Sequence, residues 1–369
     1  MADLNSFGEK YNGFKAPVAV VKVNGEKIDR EVFAIKNIRV NITSEYKASD
    51  CELVIQINNC TYDDDKLGLG GDISTFDLGS TIEISLGYND EDGASEVFYG
   101  IITERHVTYS GIHTVILDIR GMDVKVAMMG NLNSEVTVDA KKYSAAAILL
   151  IEKYSAFYKK LSSESSDDIE NLRFIQYKES DYDCVVRVAK KLGYLFYVVN
   201  GEVIFKKISS LSEEGIEISP CPYLYSFYTS QSIYDLVKTV KIINSKKDGE
   251  ETPIESSVES GESVGDGSPL VDKLPDGLKS SMKVTLCAHE VLSESEAEQA
   301  AKAIHTFSTM KSTKTEVEVS GIPDIKPGTY AKFTKINDNF NKKYFITNVK
   351  HEISENRYST IIECVGNME

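Results

Sequence analysis

Alternating hydrophobic and polar positions predict short β-strands over the first 125 residues. Segments 18–23, 35–43, 51–57, 81–86, 97–109 and 113–120 either alternate or form short apolar runs. Asn24-Gly25 is a tight-turn signal after the first segment. Tyr109-Ser110-Gly111-Ile112 predicts the hairpin turn between the last two. Several short strands separated by turn signals favour a barrel or a sandwich.

From residue 139 the apolar positions follow a helical period, which predicts a helix over 139–160 capped by Asp139 or Ser144. Its expected apolar side is Ala145, Ile148, Leu149, Tyr154 and Phe157. Ser180-Asp181-Tyr182-Asp183 resembles a capping box and opens a second helix, which Gly193 is placed to end. Segments 194–199 and 202–206, separated by Asn200-Gly201, predict a hairpin.

The second half returns to β patterning with an interruption. Segment 232–244 predicts a long strand that begins a second β-unit. Segment 248–272 is acidic and rich in glycine and serine, which predicts a mobile loop; an acidic recognition tail is the alternative. Ser293-Glu294-Ser295-Glu296 is a capping box, and the helix behind it places Ala300, Ala301, Ile304 and Phe307 on one face. The β pattern then runs from 315 to 365.

Two distant stretches share one pattern, which predicts a duplicated β-unit. Leu78-Gly79, Phe98-Tyr99-Gly100-Ile101-Ile102-Thr103 and a strand ending at Gly121 have counterparts in Pro327-Gly328, Tyr344-Phe345-Ile346-Thr347 and a strand ending at Gly366. The offset is 249 at the first glycine (328 minus 79) and 245 at His106 and His351 (351 minus 106). A duplicated unit lets one chain occupy two equivalent places in a ring.

These patterns predict a mainly β, α+β chain: two tandem tube-like β-barrel domains, an α+β domain between them, and a helical excursion that splits the second barrel. The predicted boundaries are 1–130 for the first tube-like domain, 131–215 for the α+β domain, 216–247 for the start of the second tube-like domain, 248–275 for the acidic loop, 276–312 for the helical excursion and 313–369 for the remainder of the second domain.

Composition narrows the function. The net charge of −16 over 369 residues disfavours nucleic-acid phosphates and anionic lipid surfaces as partners. No segment approaches the roughly 18 consecutive apolar residues that a membrane span needs, and residues 1–15 lack the apolar core of a signal peptide. The expected site of synthesis is therefore the cytosol. The six cysteines are scattered without a C-x-x-C pair, which favours reduced, buried thiols.

No catalytic, cofactor-binding or metal-binding residues are predicted. The five histidines form no metal-protease motif, and no nucleophile elbow or nucleotide-binding glycine motif is present. Gly68-Leu69-Gly70-Gly71 lacks the lysine and helix of a phosphate-binding loop, so a plain loop is expected. His106 and His351 at equivalent positions would allow a ring-centred metal, although tolerated histidines are the favoured interpretation. His351 and Glu352 are expected to point to opposite faces of a strand.

Three segments carry a family resemblance. Arg173-Phe174-Ile175-Gln176-Tyr177-Lys178-Glu179-Ser180-Asp181 resembles the "R-F-x-x-Q-Y-x-E-S-D" stretch of VgrG-type and phage late control gene D proteins. Phe98-Tyr99-Gly100-Ile101-Ile102-Thr103 is similar to their "F-x-G-x-V-T" strand. Gly321-Ile322-Pro323 through Pro327-Gly328, followed by the strand that ends at His351, resembles their "G-x-P-x-x-x-P-G…Y-x-I-x-x-V-x-H" ending.

The resemblance implies a hub of contractile tails and injection systems. It implies a homotrimer whose six barrels join a sixfold tail tube above to a threefold spike below, with other baseplate proteins around it. The sequence ends shortly after the last repeat, so the expected spike is a separate protein. The expected location is the bacterial cytoplasm during assembly and then the baseplate of a phage tail or tail-like particle.

Two other functions stay open from sequence. A tail-tip cell-wall hydrolase would require convergent carboxylates in the 135–210 block. A receptor- or carbohydrate-binding module would require an exposed aromatic patch.

Overall fold

The computed structural model describes residues 1–57, 61–63, 66–68, 71–110, 114–130, 132–138, 140–165, 174–234, 236–244, 253–261, 264–266, 268–288, 291, 293–354 and 357–366. The elements of the first region are β1 (Ala2–Asp3), α1 (Leu4–Lys10), β2 (Pro17–Val23), β3 (Glu26–Lys27), β4 (Phe33–Thr43), β5 (Asp50–Ile57), β6 (Thr61–Asp63), β7 (Lys66–Gly68), β8 (Thr81–Tyr88), β9 (Ser95–Ser110) and β10 (Thr114–Met122). The strands expected from the alternating pattern are confirmed as β2, β4, β5, β8, β9 and β10.

Turn chemistry explains the first hairpin. Asn24 and Gly25 both have positive φ, 52° and 83°, which a two-residue hairpin turn requires. The tip of the predicted turn between β9 and β10, at residues 111 and 112, lies outside the described residues, as do Leu69 and Gly70 of the glycine-rich segment.

The middle region contains α2 (Lys125–Met129), β11 (Leu132–Val138), α3 (Tyr143–Glu152), β12 (Lys160–Ser163), β13 (Phe174–Ser180), α4 (Asp181–Leu192), β14 (Tyr194–Val199) and β15 (Glu202–Lys207). The capping prediction for α4 is confirmed: Ser180 Oγ accepts from Asp183 N at 3.0 Å, and Gly193 ends the helix at φ 71°. The prediction of a helix over 139–160 is wrong in three respects, the first of which is that the helix ends at Glu152. Ser144 lies inside the helix, and Ala146, Ala147, Leu150 and Ile151 form its buried side.

The last region contains β16 (Gly215–Ile218), β17 (Leu224–Gln231), β18 (Thr239–Ile243), β19 (Glu255–Val258), α5 (Asp276–Lys279), β20 (Lys283–Cys287), α6 (Glu294–Thr309), β21 (Thr313–Ser320), β22 (Tyr330–Phe333), β23 (Lys343–Ser354) and β24 (Arg357–Gly366). The capping box of α6 is confirmed, with Ser293 Oγ accepting from Glu296 N at 3.2 Å.

Two predictions for this region are wrong. Segment 232–244 is not one strand of the second β-unit, because Thr239–Ile243 is the only strand among its described residues and it joins a separate sheet, β19-β18-β20. Segment 248–275 is not a structureless loop throughout, because Glu255–Val258 pair with β18; residues 248–252, 262–263 and 267 lie outside the described residues. The insertion in the second β-unit therefore contains helix α6 and a small sheet that packs on it.

The chain is mainly β, with one large mixed sheet in the order β1-β16-β22-β23-β4-β5-β10-β9-β8-β2-β3, from which β24, β21 and β17 branch at β23. Its buried side chains form one hydrophobic core, and the middle region has a second core of its own. Strand β14 divides the two because Leu195 and Tyr197 face the first core whereas Tyr194 and Phe196 face the second. No helix among the described residues has the length and apolar composition of a membrane span.

Candidate functional site

The two halves of the large sheet have the same strand order. In the first unit the order is β8-β9-β10-β5-β4, and every neighbouring pair is antiparallel. In the second unit it is β22-β23-β24-β21-β17, again antiparallel throughout. The duplication expected from sequence is therefore present in the topology.

Irregularities of the two units also coincide. The register of β4 on β5 shifts at Lys36, and that of β17 on β21 shifts at Tyr225. The register of β9 on β10 shifts at Thr103, and that of β23 on β24 at Thr347. Since a bulge bends a strand and increases its twist, the two units bend at the same places.

The two units also share a glycine turn with the same backbone hydrogen bonds. Gly79 and Gly328 have φ of 87° and 82°. Their amides donate to the carbonyls of Ile102 and Ile346, each at 2.9 Å, and the amides of Ile102 and Ile346 donate back to Ser80 and Thr329. The predicted offset of 249 at the first glycine is confirmed by these bonds.

The predicted equivalence of His106 and His351 is wrong. The shared bulge aligns Thr103 with Thr347, an offset of 244 (347 minus 103), so Val107 rather than His106 corresponds to His351. The matched registers likewise align Gly121 with Cys364 rather than with Gly366. Both copies carry the bulge, so it leaves the offset unchanged; the error comes from matching the two histidines, which lie one residue out of register.

The two histidines occupy opposite faces of the sheet. The His106 imidazole is exposed and lies 3.3 Å from Glu104 Oε2. His351 is completely buried, with Nδ1 3.0 Å from both Thr360 Oγ1 and Tyr358 Oη, and burial lowers its pKa to about 3. Glu352 is on the polar face, so the predicted opposite orientation of His351 and Glu352 is confirmed. Among the described residues no group of three or more histidine, cysteine or acidic side chains is placed to hold a metal.

Strand β4 of the first unit pairs with β23 of the second and makes the sheet continuous. The pairing is antiparallel, with Val40 opposite His351 and Ile38 opposite Ile353. These four side chains are buried. The contact is head to tail, because β4, the last strand in the order of the first unit, pairs with β23, the second strand in the order of the second unit.

A row of alternating charges crosses this junction on the opposite, polar face. The register places Glu104, Arg120, Glu52, Arg39 and Glu352 side by side on β9, β10, β5, β4 and β23. Arg39 donates from Nε to Glu352 and from Nη1 to Glu52, each at 2.9 Å. The hydrogen bond to Glu352 is the main reason that the pKa of Arg39 is raised. Opposite charges on adjacent strands stabilise the pairing.

The polar face extends across both units, and acids outnumber bases on the described strands around the junction. On β5, β10, β21 and β24, and on the parts of β4, β9 and β23 that pair at the junction (37–43, 104–109 and 348–354), the described acids are Asp50, Glu52, Glu104, Asp118, Glu316, Glu318, Glu352 and Glu363, and the described bases are Arg39, Arg120, Lys314, Lys350 and Arg357.

Replacing Arg39 with glutamine is expected to reduce stability by only about 0.5–1 kcal/mol, because its side chain is 44% exposed and solvent screens exposed ion pairs. Urea denaturation in low salt measures this loss. In about 0.5 M salt the difference from wild type should shrink, since salt screens exposed charges. A loss that does not respond to salt would assign Arg39 a packing role.

The structure also places the residues that the other hypotheses require. In the middle region Glu179 forms an ion pair with Arg187, and Asp181 accepts hydrogen bonds from Tyr154 and Gln176. These carboxylates are held by structural partners. Exposed aromatic residues, which the binding-module hypothesis requires, lie on and just after β17: Tyr225, Tyr228 and Tyr234 are 48%, 64% and 84% exposed.

Asp123 and Lys125 form a buried polar cluster that the sequence analysis missed. The Lys125 ammonium donates to the Lys47 carbonyl at 2.7 Å, and Asp123 accepts from the Ser49 amide at 2.7 Å. Burial lowers the pKa of Lys125 to about 8 and raises that of Asp123. The cluster ties the β4–β5 turn to α2, and a lysine and an aspartate two residues apart carry no sequence signal for this role.

Comparison with known sequences identifies a family. The family described as the Alg8 N-terminal domain matches residues 15–355, nearly the whole chain. The chain belongs to this family. No curated protein sequence matches it.

Solved structures show which fold the family member has. A 43 kDa tail protein of prophage MuSo2 from Shewanella oneidensis superposes with a TM-score of 0.69 at 14% identity, covering 96% of this chain and 100% of that one. A tail protein from Neisseria meningitidis MC58 gives 0.68 at 11% identity, with 95% and 96% covered. An E. coli component of the type VI secretion system, described as structurally similar to the T4 bacteriophage tail proteins gp27 and gp5, gives 0.58 at 11% identity, with 95% and 77% covered. The fold is therefore that of phage tail and type VI secretion proteins.

Proposed function

We propose that this protein is the central hub of a contractile, phage-tail-like baseplate. The observation that carries the proposal is the head-to-tail contact between two equivalent β-units of one chain. Three copies of such a chain supply six equivalent units, so a threefold assembly can match a sixfold one. The fold shared with phage tail and type VI secretion proteins supports this role.

In the proposed assembly each unit forms one tube-like barrel domain, and three chains form a ring around a central channel. The polar face shared by the two units is the surface that would line the channel. Its excess of carboxylates would repel acidic cargo and prevent it from adhering to the wall. The tail tube protein would dock at one end of the ring and the spike at the other, with other baseplate proteins outside.

The proposed role is structural and requires no catalysis, cofactor or metal. Assembly would take place in the bacterial cytoplasm, and the mature location would be the baseplate of a phage tail or tail-like particle. A zymogram on peptidoglycan is expected to show no clearing, with the chain alone and within the particle. Clearing by both would replace the structural role with a hydrolase.

The oligomeric state tests the proposal directly. Native mass spectrometry of the full chain, alone and with the tail tube protein of the same particle, is expected to show three copies. Electron microscopy along the axis should then show six lobes of similar shape. A chain that stays monomeric or dimeric at micromolar concentration with the tube protein present would contradict the proposal.

A further inference from the structure

The pairing of β4 with β23 joins the two units once within the chain. The strands that correspond to β4 and β23 in the other unit are β17 and β9, and each has an edge that no described strand covers. Among the strands of the described residues, β17 pairs with β21 alone, so residues 226–230 have one strand edge without a strand neighbour. Strand β9 continues past Ile101, where its pairing with β8 ends, and 104–109 pair on one side with β10. In the second unit the corresponding edge of β23 is occupied by β4.

The composition of the β17 edge is unusual for a surface that stays in water. The sequence of β17, Leu-Tyr-Ser-Phe-Tyr-Thr-Ser-Gln, contains no charged residue and no proline. Natural edge strands are normally protected by lysine, proline or a covering segment, because an open edge pairs with other chains. Tyr228 on β17 and Tyr109 on β9 are 64% and 57% exposed. An open, uncharged edge with exposed aromatic residues is a surface suited to strand pairing with a partner.

We propose that β17 of one chain pairs with residues 104–109 of β9 in a second copy of this chain. This inference rests on the proposed ring and specifies its interface. The occupant is a second copy because the internal junction already shows a β4-type strand seated on a β9-type strand. β17 corresponds to β4, and β9 corresponds to β23, by the matched bulges given above.

The internal junction also fixes the register between the two copies. Val40 opposite His351 becomes Thr229 opposite Val107, and Ile38 opposite Ile353 becomes Phe227 opposite Tyr109. On the polar face, Arg39 opposite Glu352 becomes Tyr228 opposite Thr108. Val107 and Phe227 already pack against the hydrophobic core of their own chain, so the pairing would extend that core across the interface.

This contact joins different surfaces of the two copies. Each chain has one β17 edge and one β9 edge, so copies add head to tail, and the threefold rotation of the proposed hub closes them into a ring. In a trimer the three internal and three intermolecular junctions would alternate around the ring, and no β17 or β9 edge would remain open.

Paired cysteines test the register. Thr108→Cys and Tyr228→Cys are introduced together in a chain that also carries Cys287→Ser, because Cys287 is an exposed native thiol. Both sites are exposed. Directly opposed residues of antiparallel strands lie about 4.5–5.5 Å apart, within disulfide reach. Mild oxidation of the assembled protein should link most chains into covalent species of up to three copies on non-reducing gels.

The matched control pairs Thr108→Cys with Ser226→Cys, two residues out of register on the same face. Its cross-linking should be about tenfold lower, because diagonal neighbours lie about 7–8 Å apart. A trimer that gives no more cross-linking with Tyr228→Cys than with Ser226→Cys would overturn this interface and leave the proposed hub intact. Absence of any trimer in the presence of the tube protein would overturn both.

Discussion

Gly328→Ala is expected to destabilise the protein by about 3 kcal/mol. Gly328 has φ of 82°, a conformation that costs an alanine about 1–2 kcal/mol. An added Cβ would also collide with the phenol of Tyr197, which is buried on β14 between the two cores; overpacking of this kind costs about 1–3 kcal/mol. Urea denaturation followed by tyrosine fluorescence measures the loss, since the chain has 20 tyrosines and no tryptophan.

The duplicated unit provides the matched control. Gly79 has φ of 87° and makes the equivalent backbone hydrogen bond, but nothing lies within 4 Å of the position of an added Cβ. Gly79→Ala should therefore lower the free energy of unfolding only through backbone strain, by about 1–2 kcal/mol. Equal losses at the two glycines would show that Tyr197 does not restrict the second site.

The comparison of Gly79 with Gly328 also shows what sequence could predict. Both glycines could be predicted from local sequence, because a turn with positive φ before a strand favours glycine in each copy. The alternating strands of the first unit and the capping boxes of α4 and α6 were predictable for the same reason, because each signal lies within a few residues.

Non-local pairing is what the sequence analysis missed. Strand β17 was not predicted, and segment 232–244 was assigned to the second unit in its place. The apolar residues of β18 fit either sheet equally well, because their alternation states which face is buried and not which strand is the neighbour. Tertiary contacts with α6 and β19 place β18 in the small sheet.

The candidate interface was hidden from sequence for a related reason. The junction of β4 with β23 joins residues about 310 positions apart, and its counterpart would join two chains. Matching the histidines places the alignment one residue away from the hydrogen-bonding register, which exchanges the two faces of the strand. The polar and buried sides of β9 could be assigned correctly only after the hydrogen-bonding register was known.

Stability is expected to fall by about 2 kcal/mol between pH 7 and pH 5 because of His351 alone. Burial lowers its folded pKa to about 3, whereas an unfolded histidine titrates near 6.5. The unfolded chain therefore takes up a proton that the folded chain excludes, so stability is complete above about pH 6.5 and decreases as pH falls toward 3. Urea denaturation at half-unit pH steps measures the slope.

The variant His351→Gln isolates this contribution. Glutamine does not titrate and retains hydrogen-bonding groups for Thr360 and Tyr358. The variant should be less stable than wild type at pH 7, and the difference should narrow by about 2 kcal/mol at pH 5, where the carboxylates are still largely ionised. Burial also lowers the pKa of His305, but this effect is common to both proteins and cancels. Parallel pH profiles would show that the His351 imidazole becomes protonated without unfolding, and that its position beneath the β4–β23 junction is accessible to water.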